Sequence, residues 1–295
     1  MQAETRTNNP YGAALLIAAA GIFTADVTVL RYLSPEVPFA LIIFARALSQ
    51  LVIVALWIAV RNPALYHSAR WPRLVLRGVT SLVCWWLYYA SFQTLELGLA
   101  STLTFTSSLF VVALAPAILG ERIGAKRAVT TIAGFIGVAI ASGVSDFTVA
   151  PGVLLGLGSA FAAAILIFQN HVLARTEHTA TIMFWIGLVA TLGTLPGAVA
   201  GWTALTASDA LLLAAAGTLG TVGMLFTVEA YRFGEVSALA TFPYVRILFA
   251  LTAGYFLFGE TASLREVLGA GLIVICGLAA HERRSDPRPF GRKSL

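Results

Sequence analysis

Two arginines sit where an arginine is costly. Arg46 lies in "FARALSQLVIVALW" and Arg246 in "TFPYVRILFA", each embedded in a long apolar run. Lipid cannot solvate a guanidinium, so each must face a bundle interior, a wet cavity or a counter-charge. For Arg246 two roles stand open. Its planar fork can grip a substrate carboxylate through two parallel hydrogen bonds. It can also serve the structure, pairing with a buried carboxylate or with carbonyls freed by Pro243, which removes one helix hydrogen bond. Tyr244, between the two, is a candidate to line the same site. Arg46 lies nearer one end of its run, where it can snorkel or pair with Asp26. Asp26 is the best-placed carboxylate for taking up and releasing a proton inside the apolar region. Arg46, Asp26 and Pro243 are therefore the structural or coupling candidates.

The stretch "CWWLYYASF" sets Trp85, Tyr88, Tyr89 and Phe92 at i, i+3, i+4 and i+7, one helical stripe, with Trp86 alongside. Aromatic belts belong at membrane interfaces, yet this cluster begins well inside its apolar run. Such a face can stack on an aromatic ligand group in an apolar pocket, or simply pack on its neighbours. Trp85, Trp86 and Tyr89 are the ligand-contact candidates here. The following run, "STLTFTSSLF", offers hydroxyls, of which Thr104 and Ser108 are the candidates. They can bond a ligand's amino or carboxyl group, or bond back to their own helix.

The remaining chemistry is sparse. HExxH is absent, as is GxxxxGK[ST], and the apolar runs hold no carboxylate pair at i, i+3 or i+4. Cys84 and Cys276, the two cysteines, both lie in apolar runs and form neither a disulfide framework nor a metal pair. No catalytic residue, no metal and no cofactor is expected.

The elements that must position these residues follow from composition. The 295 residues are 58% hydrophobic and 11% charged, with a mean hydropathy of +0.85, where a soluble domain carries about 25% charged residues. A bilayer-crossing helix needs about 20 apolar residues. Ten such runs occur, at roughly 11–33, 38–60, 73–95, 98–119, 126–143, 151–171, 179–200, 208–230, 235–258 and 264–280. The fold class is all-α integral membrane, with ten transmembrane helices. The first run holds "LLIAAAG", a signal-like segment, but it is preceded by the single base Arg6 and continues past the small residues, so it is read as a retained span.

Orientation follows from the loops. With a cytoplasmic N-terminus, the inner segments hold most bases, among them Arg61, Arg70, Arg73, Arg77, Arg122, Lys126, Arg127, Arg175 and Arg232, plus the tail "HERRSDPRPFGRKSL"; the outer loops hold Arg31 and Arg265. Both termini are thus expected in the cytoplasm. The net charge of +5 is spread over these short loops, which is membrane patterning and implies no nucleic-acid partner.

The chain also repeats itself. "YGAALLIAAAGIF" at 11–23 lies over "PGVLLGLGSAFAA" at 151–163, with Gly12 over Gly152. "LGERIGAKR" at 119–127 lies over "FGETASLRE" at 258–266. Each repeat holds five spans, an odd number, so the second enters the membrane from the opposite side. Inverted repeats enclosing a central site are the architecture of secondary transporters. The organisation expected is an N-terminal segment 1–10, a first repeat 11–143, a second repeat 151–280 and a basic tail 281–295.

These features carry a resemblance. The chain resembles the drug/metabolite transporter superfamily, specifically its ten-helix bacterial branch with two EamA-type repeats. "FARALSQLVIVALW", "LGERIGAKRAVTTIAGFIGVAI" and "ALATFPYVRILFALTAGYFLFGETASLREVLGAGLIVICG" carry it, and it covers residues 10–281. Within that branch the chain is most similar to the aromatic amino acid exporters. The resemblance implies a multi-pass protein of the bacterial inner membrane, expected to act as a monomer on a small-molecule substrate. It implies export of amino acids and related metabolites by alternating access. A multidrug or cationic-compound exporter driven by proton antiport is the alternative. An intramembrane enzyme is the alternative from another class. No carboxylate or histidine sits at mid-span, Asp26 lying toward the outer end of its run, and that favours flux down a gradient over proton antiport.

Overall fold

The computed structural model describes residues 8–92, 94–95, 103–104, 106–119, 129, 132–134, 136–137, 140, 151–233, 239, 242, 245–259 and 263–280. The basic tail and most of the fifth expected span lie outside them. Among the described residues the secondary structure is helical: α1 (Asn9–Leu30), α2 (Phe39–Arg61), α3 (Trp71–Phe92), α4 (Thr106–Leu119), α5 (Pro151–Ala174), α6 (Thr179–Ala200), α7 (Ala207–Phe233), α8 (Val245–Phe258) and α9 (Leu264–Ala280), with one 3-10 turn at Pro63–Tyr66. Helices satisfy their backbone internally, which lipid demands. Five of them, α1, α2, α5, α6 and α7, are long and apolar enough to cross a membrane. Large apolar side chains line the outside, including Val60 at 83% and Phe256 at 77% exposure, as lipid-facing surfaces require.

Local signals set the helix ends. Asn8 caps α1 by accepting the Tyr11 N–H at 3.1 Å, and Pro10 occupies the first turn, where its missing N–H costs nothing. Asn62 accepts the Ala64 N–H at 3.2 Å and turns the chain after α2. Hydroxyls within the helices bond back to the carbonyl four residues earlier, as Thr24 does to Ala20 at 2.9 Å and Thr221 to Gly217 at 2.7 Å. Polar groups are thus satisfied without leaving the apolar helices.

Packing follows a pseudo-two-fold rule. If α1, α2, α3 and α4 correspond to α5, α6, α7 and α8, each major contact has its mate: α1 on α7 mirrors α5 on α3, and α2 on α7 mirrors α6 on α3. The α1–α8 contact likewise mirrors α5–α4. The two aligned glycines play equivalent parts. A methyl added at Gly12 would press the Ala230 carbonyl at 3.1 Å near the end of α7, and one at Gly152 would collide with Thr94 and Leu95 just past α3.

The equivalent helices α2 and α6 pack directly on each other, and they run antiparallel. Ala40 meets Gly197 near one end, and the Leu51 backbone meets Gly187 at mid-length. At the far end Thr181 donates to the Leu65 carbonyl at 2.8 Å. Equivalent helices running in opposite directions are what inversion of the repeat means. Gly187 permits the approach, since its missing Cβ would lie 3.0 Å from the Leu51 nitrogen.

Among the described residues the bundle has a closed end and a cavity end. At the closed end the Asn8 N–H donates to the Phe233 carbonyl at 2.8 Å, and two apolar clusters fill the interior. One gathers Leu16, Val111, Phe168, Tyr231 and Leu239; the other gathers Leu74, Leu173, Ile182, Ile186 and Val228. Arg70 pairs with Glu177 at 3.3 Å across this end. Its counterpart at the cavity end is Asp209, which accepts from the Ser34 backbone and hydroxyl at 3.0 Å.

Candidate functional site

Between the two ends, toward the cavity end, lies a cavity of about 200 Å³ that opens to solvent. Phe23 and Asp26 of α1, Arg46 and Gln50 of α2, and Trp85, Tyr88 and Tyr89 of α3 form one side. Ser159 of α5, Gly217, Gly220 and Met224 of α7, and Arg246 of α8 form the other, with Thr104 also on the wall. Both repeats contribute, as an inverted-repeat site requires.

The two arginines on the cavity wall are in different electrostatic situations. Arg46 donates to Asp26 Oδ2 and to the Tyr89 hydroxyl, and its guanidinium lies 5.9 Å from the Tyr89 ring centroid. Its charge is held by a carboxylate only 1% exposed. Arg246 lies 5.7 Å over the ring of Phe23. Among the described residues, no carboxylate forms an ion pair with it and no acceptor takes a hydrogen bond from it. Asp26 Oδ1, buried in the same wall, also lacks a partner. Beside an aromatic wall the cavity therefore offers a cation without a close ion pair or hydrogen bond among the described residues, attracted at longer range by Asp26, and a carboxylate oxygen without a hydrogen bond.

The aromatic stripe of α3 divides. Trp85, Tyr88 and Tyr89 face the cavity, and Tyr89 packs on Phe39 at 4.7 Å between centroids. Trp86 does not line it. A step of one residue turns a helix by about 100°, and that puts Trp86 on the outer surface at 40% exposure, edge-on to Phe39. Of the hydroxyl run, Thr104 lines the cavity and Thr106 is fully buried. Pro243, Tyr244 and the side chain of Ser108 lie outside the described residues.

Two further expectations change. The sequence places Arg77 with the loop bases and "FQNH" at the interface, but Arg77, Phe168 and Asn170 are buried where α3 packs on α5, inside the bundle. Arg77 is 1% exposed, and its Nε donates to Asn170 Oδ1 at 3.0 Å while its Nη1 reaches Ser81. Asn170 is 3% and Phe168 7% exposed. The signal was present in the sequence: Leu74, Arg77, Ser81 and Tyr88 share one helical face with the cavity stripe.

A family model described as the EamA-like transporter family matches the chain twice, over residues 10–143 and 150–279. The chain belongs to the EamA-like transporter family. This EamA-like transporter is 29% identical over 177 residues to the S-adenosylmethionine uptake transporter of Rickettsia prowazekii, a match covering 59% of this chain and 60% of that protein. It is 27% identical over 277 residues to the pseudopaline exporter CntI of Pseudomonas aeruginosa, covering 91% of this chain and 95% of that one. The riboflavin transporter of Vibrio cholerae is 27% identical over 278 residues, covering 91% and 92%. A crystal structure with 16% identity superposes with a TM-score of 0.68 over 91% of this chain and 96% of its own, so the fold is shared. The chain, with five helices long and apolar enough to cross a membrane, belongs to a family of membrane transporters. Its relatives are named for different substrates, so family membership leaves the substrate to be argued from the cavity.

Proposed function

We propose that this EamA-like transporter carries amino acids, aromatic ones foremost, and amino-acid-like metabolites out across the bacterial inner membrane by alternating access. The observation that carries the reading is Arg246, a cation with no ion-pair or hydrogen-bond partner among the described residues, on the wall of an aromatic-lined cavity. A substrate carboxylate supplies the missing partner through charge-assisted hydrogen bonds. Its ammonium group suits Asp26 Oδ1, and its ring suits Trp85 and Tyr88. Arg46, neutralised by Asp26, holds the wall in shape. S-adenosylmethionine, the named substrate of one relative, is itself an amino acid bearing an aromatic base and fits the same chemistry. With the N-terminus in the cytoplasm, the cavity end faces out and the closed end faces in.

The test is uptake by proteoliposomes of labelled tryptophan, tryptophanamide, S-adenosylmethionine, riboflavin and a cationic dye, with and without an imposed proton gradient. Saturable tryptophan flux, lost when the carboxylate becomes an amide and indifferent to the proton gradient, is the expected result. Dye flux that follows the proton gradient would instead favour a proton-coupled drug exporter. The unpartnered Oδ1 of Asp26 gives that second reading its proton site.

A further inference from the structure

Arg77 is a buried cation whose described partners are neutral: an amide oxygen of Asn170 and the hydroxyl of Ser81. Among the described residues no carboxylate reaches it. A structural arginine at this depth ordinarily comes with its counter-ion, since an uncompensated charge is the worst arrangement in a low-dielectric interior. Its position adds a second fact. Leu74, one turn earlier on α3, belongs to the apolar cluster that seals the closed end, together with Val228 and Ile182. Cys84, two turns later, lines the cavity beside Ser159, whose hydroxyl donates to the Cys84 carbonyl at 3.0 Å. Arg77 and Ser81 therefore bridge the floor of the cavity and the plug, along the α3–α5 seam. A third fact concerns the plug. Trp185 packs against this cluster and buries its indole Nε1–H without an acceptor among the described residues. An anion would give this donor an acceptor, as it would give Arg77 a counter-charge.

From these observations we infer that Arg77 is a second anion site, a station for the substrate's carboxylate when the closed end opens. Arg246 receives the carboxylate from the cavity end. When the apolar plug parts, Leu74 and Val228 separate and Arg77, with Ser81 and Asn170 holding its fork in place, becomes the cation nearest the opposite face. The carboxylate passes from one guanidinium to the other, and no bond is made or broken. This rests on the amino-acid reading above and adds to it a site on the other side of the barrier.

The decisive variant is Asn170→Asp, which is nearly isosteric and gives Arg77 a permanent counter-ion. Half-saturating tryptophan concentrations are measured from each face of oriented proteoliposomes, together with thermal stability in detergent. The expected result is a rise of about tenfold or more at the closed-end face, a change within about twofold at the cavity face, and unchanged or greater thermal stability. Arg77→Lys, which keeps the charge and loses the fork, gives an intermediate rise at the closed-end face. Asn170→Asp transporting like the wild type from both faces would overturn the inference, and so would a destabilised Asn170→Asp that loses transport equally from both faces, since that loss would be structural. Arg246→Gln run alongside separates the two claims. If it transports normally, the amino-acid reading itself fails; if it is inactive while Asn170→Asp is unaffected, only the second site fails.

Discussion

Arg46→Gln is expected to destabilise the protein by roughly 3 kcal/mol, the lower end of the range for stranding one member of a buried ion pair. The carboxylate left behind is Asp26, 1% exposed, with Oδ1 already unpartnered. Tyr89 loses its donor in the same step. Asp26→Asn strands the other member, and Arg46 keeps 15% exposure at the cavity, so its cost is also set at roughly 3 kcal/mol. The double variant Asp26→Asn/Arg46→Gln removes both charges while keeping two amides that can bond each other. Its cost should be close to that of either single change, roughly 3 kcal/mol, which makes the coupling roughly 3 kcal/mol. Reversible unfolding in mixed micelles for the four proteins gives this cycle directly. Additive losses, with the double variant near 6 kcal/mol and a coupling under about 0.5 kcal/mol, would refute the assignment of Arg46 to the structure.

Trp85→Ala or Tyr88→Ala should shift preference from aromatic toward aliphatic amino acids in competition assays, whereas Trp86→Ala, on the outer surface, should leave the ratio unchanged. Gly187→Ala drives a methyl to 3.0 Å from the Leu51 nitrogen, a backbone atom that cannot yield without moving a helix. It should cost about 1–3 kcal/mol in the same unfolding assay. His178 caps α6 by accepting the Ala180 N–H on Nδ1 at 3.1 Å, and burial, then the Arg232 charge, lowers its pKa below the ordinary value of about 6.5. A neutral imidazole is needed for the cap, so its stabilisation is present above that ordinary value and lost as pH falls through the depressed one. Hydrogen exchange at the Ala180 amide should accelerate on acidification, and His178→Asn should remove that dependence.

Sequence and structure meet best where a single physical rule decides. Hydropathy alone finds the long helices: the run expected at 208–230 is observed as Ala207–Phe233. The weak alignment of Gly12 with Gly152 marks a real equivalence, because close helix approach constrains the glycine even where its neighbours drift. The Asp26–Arg46 pair was open to anticipation because a charge in lipid must find its opposite. Trp86 shows the limit of grouping by adjacency: its neighbour Trp85 faces the cavity, and one residue's rotation sends Trp86 outward. Arg77 was hidden because a base near the start of an apolar run reads as a loop base, and only its observed burial against Asn170 and Ser81 places it inside. The cavity itself, built from six helices of both repeats, depends on distant packing that no local pattern encodes.

The central claim is that Arg246 receives the substrate's carboxylate, and its most direct test is tryptophan transport by Arg246→Gln. The variant removes the charge and keeps much of the side-chain length, and Arg246 makes no ion pair among the described residues whose loss would disturb the fold. Losing a charge-assisted hydrogen bond of about 1.5–3 kcal/mol predicts flux at sub-saturating tryptophan reduced roughly 10- to 100-fold, with insertion and thermal stability unchanged. Arg246→Gln moving tryptophan at the wild-type rate would contradict the account.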